Sequence, residues 1–173
     1  MNDDEIEIAE LDFENKVFAS LFANFTAVEQ KVVVPIYWHV ISQDDSLEGG
    51  NIPDWQIVGS IDVLNQDYAG TGLQFELIDT DRVVNANWFN TVAPEEPSQT
   101  DMKYSLRKGN ALTLNIYTVG FSSEDLLGYA TFPSSYNQNP GDDGVVILYS
   151  TVPNGSLQPY NLGRVSDQWP SHQ

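Results

Sequence analysis

The chain has 173 residues, 25 acidic side chains against 7 basic ones, a formal charge of −18 and no cysteine. Nucleic-acid phosphates and anionic lipid surfaces both demand Lys and Arg, so neither nucleic acid nor membrane is an expected partner. Without cysteine there are no disulfides, thiol nucleophiles or thiolate metal sites, and a chain of this size that is 41% hydrophobic can bury one core.

No run reaches the ~20 apolar residues of a membrane span. The start, Met1-Asn2-Asp3-Asp4-Glu5, is acidic where a signal peptide is basic and then apolar. Residues 3–30 predict a helix, with Phe18, Leu21, Phe22 and Phe25 on one face; it is read as a packed helix, or else as the remnant of a prosegment. Val32 to Ile41 is apolar at nearly every position and β-branched or aromatic at most, the pattern of a strand buried on both faces. A helix opens at Asn51-Ile52-Pro53-Asp54, carries Ile57, Ile61, Leu64 and Tyr68 as its buried stripe, and closes at Gly70 and Gly72. Leu73 to Ile78 alternates as a strand, so the unit reads as a right-handed parallel crossover.

Residues 79–97 predict an irregular excursion, followed by a short helix from Ser98 to about Lys108. Leu112–Val119 is a third strand, Leu127–Phe132 a short fourth, and Gly144–Tyr149 a continuously apolar fifth. Val152 to Ser156 is a turn-rich loop. The whole reads as α/β with a mostly parallel sheet.

The chemistry-bearing motifs are few. The two histidines, His39 and His172, lie in a strand and near the end of the sequence, and a protease-type zinc site takes three protein ligands and a water. His39 is therefore expected to be a packed, hydrogen-bonded strand residue. Asp79-Thr80-Asp81 and Asp142-Asp143-Gly144 lack the alternating ligands and closing Glu of a calcium loop, and the second reads as a turn feeding the fifth strand. Gly70-Thr71-Gly72 is a helix stop, not a phosphate loop, and no Gly-x-Ser-x-Gly elbow occurs. Asn24 and Asn154 fit the N-glycosylation pattern, which matters only for an exported chain.

Several separate stretches, in a fixed order, carry a resemblance: Val34-Pro35-Ile36-Tyr37-Trp38-His39-Val40-Ile41, Asn51-Ile52-Pro53 with Val63 to Tyr68, Leu112 to Gly120 with Leu126 to Pro133, Asp142 to Ile147, and Tyr160-Asn161-Leu162-Gly163. Together they resemble the pappalysin-like (metzincin) zinc metalloproteases secreted by fungi. The resemblance implies a metzincin-like N-terminal subdomain: a twisted, mostly parallel five-stranded sheet with an antiparallel edge strand and packed helices. It divides the chain into an acidic helical segment (1–31), an upper protease subdomain (32–163) and an unrelated tail (164–173).

In that family Asn-Leu-Gly leads into a helix bearing His-Glu-x-x-His, whose histidines hold zinc and whose glutamate polarises the attacking water. Here Gly163 is followed by Arg164 to Gln173, so no catalytic or metal residue transfers and the chain by itself is expected to hold no zinc. The resemblance implies an extracellular protein, although the sequence shows no signal peptide. Its substrate would be a peptide or protein, paired by strand addition along Gly128, Tyr129, Ala130, Thr131 and Phe132. A non-catalytic module binding peptides through the same edge is the alternative. A sheet face lacking the zinc helix would favour self-association.

Val165-Ser166, where the resemblance stops, is a pair whose codons can spell the start of an intron. Removing such an intron is expected to restore a frame with His-Glu-x-x-His within about one helix of Gly163. Transcript sequencing across the codons for 160–173 checks this, and a spliced message that keeps the stop after Gln173 would rule it out.

Overall fold

The computed structural model describes residues 31–121 and 126–164. The helix expected over 3–30, Asn24, His172 and nearly all of the 164–173 tail lie outside the described residues. The sheet has five strands in the order β2-β1-β3-β5-β4: β1 (Val32–Ser42), β2 (Leu73–Val84), β3 (Leu114–Val119), β4 (Gly128–Ala130) and β5 (Val145–Leu148). The pairings β1–β2, β1–β3 and β3–β5 are parallel, and β4 runs antiparallel to β5, as the expected fold class requires.

Helix α1 (Asp54–Asp67) covers one sheet face. Its Ile57, Ile61 and Leu64 pack with Ile36, Trp38, Val40, Ile116 and Ile147, and Tyr68 adds to the cluster, so the predicted stripe is the observed one. Full burial of each aliphatic side chain is worth roughly 1.5–3 kcal/mol over leaving it exposed. On the other face, Phe89 of α2 (Ala86–Thr91) and Met102 of α3 (Pro97–Leu106) meet Ile41, Tyr117, Val119, Tyr129 and Val146. The central positions of β3 and β5 are thus buried from both sides. Apolar side chains that remain exposed include Trp55 and Val58 on α1 and Ile78 and Val84 on β2.

The expected irregular stretch over 79–97 is corrected. β2 continues to Val84, and Asn85 then caps α2, its side chain accepting a hydrogen bond from the Trp88 amide at 3.1 Å. A bulge conceals this continuation from a period-two reading. Ile36 pairs with Leu77 but Tyr37 pairs with Asp79, which leaves Ile78 as an extra residue. The alternation reverses there, and Asp79 and Asp81 come to lie on the same face as Tyr37 and His39. The fourth strand is also shorter than the expected Leu127–Phe132, only Gly128–Ala130 being paired as strand.

The Asp142-Asp143-Gly144 turn feeds β5 as expected. Gly144 has φ +134°, and a Cβ there would lie 2.8 Å from the Asn115 carbonyl oxygen and 2.8 Å from the Tyr117 ring, both in the rigid centre of the sheet. A backbone conformation of this kind costs a side-chain-bearing residue on the order of 1–3 kcal/mol, before the overlap is counted. Gly144→Ala is therefore expected to destabilise the chain by at least ~2 kcal/mol in urea denaturation, with an unchanged slope.

Candidate functional site

β4 is a sheet edge, and its pairing register shows which backbone groups it leaves free. The Leu148 amide donates to the Leu127 carbonyl at 2.9 Å, and the Thr131 amide donates to the Gly144 carbonyl at 3.3 Å. Hydrogen-bonded residues alternate in an antiparallel pair. Leu127, Tyr129 and Thr131 therefore direct their backbone groups at β5, while Gly128 and Ala130 direct theirs away from the sheet. These two outward-facing positions carry the smallest side chains of the strand, so an approaching backbone meets little obstruction.

Beside this edge lies a groove of about 490 Å³. Pro94 and Glu95 of the α2–α3 connection, Gln99 of α3, residues 129–132, and Tyr136, Asp142 and Asp143 border it. Of the five residues expected from the resemblance, Tyr129, Ala130, Thr131 and Phe132 line the groove and Gly128 precedes them on β4, and they differ in what they offer. Gly128 and Ala130 present backbone. Tyr129 is buried against Phe121, with ring centroids 5.8 Å apart, and burial pushes its phenol pKa up, so it serves as packing. The Thr131 hydroxyl accepts from the Gly144 amide at 3.0 Å and reaches Asp143 at 3.4 Å, which ties it to the turn. Phe132 is exposed on the groove.

Lys103, which sequence reasoning did not single out, is fully buried below the groove. Its Nζ donates to the Asp142 carbonyl at 2.7 Å. Gln99 Nε2 donates to Asp142 Oδ1 at 2.9 Å, and Arg107 lies 3.5 Å from Asp143. The carboxylates of Asp142 and Asp143 are thus occupied by side chains of α3 and its end. The signal was present in the spacing: Gln99, Met102, Lys103 and Leu106 fall on one helical stripe, so Lys103 occupies an inward position.

A second polar cluster surrounds His39, which is completely buried. Its Nδ1 lies 3.0 Å from Asp81 Oδ2 and its Nε2 3.0 Å from Asn115 Oδ1, while the ring stacks on Tyr117 with centroids 4.7 Å apart. Asn115 is itself oriented by the Lys108 backbone, whose amide donates to Oδ1 at 3.0 Å and whose carbonyl accepts from Nδ2 at 2.9 Å. His39 Nε2 is therefore the donor to Asn115. Burial is the largest influence on the ring and lowers its pKa, with Asn115 and Asp81 acting against it. Lys108 Nζ binds Asp81 at 2.8 Å and Asp79 at 3.0 Å, which raises its own pKa and holds the Asp79 carboxyl below its ordinary value.

His39 is thus the hydrogen-bonded strand residue that was expected, and Asp79-Thr80-Asp81 is a partner for cations of the chain itself. Among the described residues no group of three or more His, Asp or Glu side chains is arranged to hold a metal ion. These residues do not fit a catalytic zinc. Among the described residues no helix is long and apolar enough to cross a membrane. Asn154 is exposed, in a left-handed conformation with φ +59°.

The fold, a mostly parallel five-stranded sheet with an antiparallel edge strand, is that of the mirolysin structures. Mirolysin in complex with compound 9 superposes with a TM-score of 0.64 at 25% identity, over 80% of this chain and 61% of that one. Mature mirolysin of Tannerella forsythia in complex with a cleaved peptide, 24% identical, shares the fold with a TM-score of 0.61 over the same shares. No family model matches the chain. Proteins named extracellular metalloprotease match it from Sordaria macrospora (38% identity, 91% of this chain), Colletotrichum graminicola (35%, 98%) and Arthroderma benhamiae (39%, 89%). The chain belongs to this fungal extracellular metalloprotease family, and it spans 56%, 59% and 50% of the length of those three relatives.

The His39 cluster lies on the β1–β2 side of the sheet, away from β4, and its role is architectural. His39→Phe keeps an aromatic ring on Tyr117 but removes the buried imidazole bonds to Asp81 and Asn115, which then keep only their bonds to Lys108. It is expected to lower stability by roughly 2–4 kcal/mol in chemical denaturation.

Proposed function

We propose that the chain is the peptide-recognising part of a secreted zinc metalloendopeptidase. An extended peptide adds to the free edge of β4 as a further strand, pairing with Gly128 and Ala130 and running past Phe132. The observation that carries this reading is the register of β4, which turns two small residues' backbone groups outward beside an open groove. Main-chain pairing of this kind supplies affinity, and side-chain pockets supply selectivity. Support comes also from the similarity to mirolysin, one of whose structures is a complex with a cleaved peptide.

In the intact proteins, hydrolysis would use a zinc-activated water, with the metal held by residues other than those described here. The chain by itself binds peptide without cleaving it. Asn154 would accept a glycan on export.

The edge reading is tested by Ala130→Pro. Proline there removes the outward amide and leaves the amides that pair with β5 in place. Affinity for a fluorescent extended peptide is expected to fall about ten-fold, equivalent to ~1.4 kcal/mol, with little change in melting temperature. Unchanged affinity would refute strand addition at β4. Chelator-sensitive cleavage of unfolded substrate by the purified chain would refute the non-hydrolysing assignment.

A further inference from the structure

We infer that Lys103 is the positioning residue of the rim strand, a role that rests on the strand-addition reading above. β4 has only three residues, and its ladder to β5 comprises the pairs Gly128–Ile147, Tyr129–Val146 and Ala130–Val145. So short an edge cannot fix its own geometry through ladder hydrogen bonds alone. Buried lysines are rare unless their ammonium is partnered, and every partner of this one leads to β4.

The chain of contacts is continuous. Lys103 Nζ donates to the Asp142 carbonyl at 2.7 Å, approaches the Gly144 carbonyl at 3.5 Å, and forms an ion pair with Asp142 Oδ1 at 3.6 Å. Gly144 is the residue to which Thr131 is clamped, its carbonyl accepting the Thr131 amide at 3.3 Å and its amide donating to the Thr131 hydroxyl at 3.0 Å. The same ammonium lies 5.7 Å from the centre of the Tyr129 ring, within reach of a cation–π attraction. One charge on α3 therefore holds the turn that anchors the end of β4 and the ring at its middle. The outward groups of Gly128 and Ala130 are aimed by contacts made on the opposite side of the strand.

Arg107 has a different position. It lies 3.5 Å from Asp143 and 5.3 Å from the Tyr136 ring, two residues of the groove wall, and its hydrogen bonds go to Gly109, Asn110, Tyr136 and Asp143 instead of Gly144. Removing the Lys103 charge leaves the rim strand present but unaimed, whereas loss of Arg107 alters the wall.

The experiment compares the chain with its Lys103→Met variant, by amide hydrogen exchange and by affinity for the same extended peptide. The expected result is local. Exchange at Thr131 and Leu148, the donors across β4 and β5, accelerates about ten-fold or more while amides of β1 and β3 keep their rates, and peptide affinity falls about ten-fold. Equal acceleration throughout the sheet would show Lys103 to be merely a stabilising residue and would overturn the proposal, as would no acceleration at all. If Lys103→Met does not fold, Thr131→Val cuts the same path at Gly144 while keeping the ammonium, and it must give the same localised acceleration for the proposal to stand. Failure of the unaltered chain to bind any peptide would remove the strand-addition reading and this role together. Peptide binding that persists undiminished in Lys103→Met would remove this role alone.

Discussion

Burial of β1 from Trp38 onward and of β3 from Asn115 onward, on both faces, is the constraint from which the rest of the structure follows. A strand buried in that way has no contact with water, so a polar side chain on it is costly unless it finds a partner inside the protein, and Trp38 Nε1 and Tyr117 Oη remain without one. His39 and Asn115 lie in these two strands, and both are completely buried. The bulge at Ile78 meets this requirement by bringing Asp81 to His39, and the loop after α3 meets it by folding the Lys108 backbone against the Asn115 amide. Had the pairing run on regularly past Leu77, without the bulge, Asp79 and Asp81 would lie opposite Trp38 and Val40 on the α1 face, among Ile, Leu and Trp side chains.

The edge of the sheet is governed by the opposite condition. Exposed edges invite indiscriminate pairing, and short edge strands are one way that proteins limit it. β4 is short, carries Gly128 and Ala130 where its backbone is open, and is flanked by acidic side chains, among them Glu95 and Asp143. On the strand-addition proposal such an edge would pair with an extended chain only over a short length, and its acidic flank would oppose the approach of a second copy of this acidic protein. Brevity has a structural cost, because the strand must be aimed by groups outside the ladder, and α3 supplies them through Lys103 and the Asp142–Gly144 turn.

The identity of most strands and of the first helix was legible because their signals are strong and local. Continuous β-branched runs marked β1, β3 and β5, and the stripe from Ile57 to Tyr68 marked α1. The end of β2 was not legible, since a bulge breaks the two-residue period at the point where a reader takes the strand to stop. Helix α2 was lost with it, although Asn85 is a good cap residue, because six residues are too few to show a helical period. The rim residues were expected from family resemblance, whereas the division of that strand into outward backbone and inward packing depends on register, which the sequence does not show. Lys103 was readable as an inward position on a helical stripe, yet a lysine there is ordinarily taken for a solvated one.

The scarcity of basic residues gives these local arrangements a common logic. Arg82 joins β2 to Asp54 of α1, Arg164 reaches Asp67 at the other end of α1, and Lys108 binds Asp79 and Asp81 of β2. Lys103 and Arg107 bind the Asp142–Asp143 turn. Each of these cations links segments distant in sequence. In a chain of charge −18 most carboxylates repel one another, and the exposed pairs contribute little, about 0–1 kcal/mol each. The weight therefore falls on the buried cation, where one partner's removal leaves an uncompensated polar group. Lys103 is fully buried, and its pKa is lowered by that burial against the pull of Asp142. A positive charge kept in such surroundings is costly to the fold, and its placement beneath the rim strand accounts for its presence better than stability does.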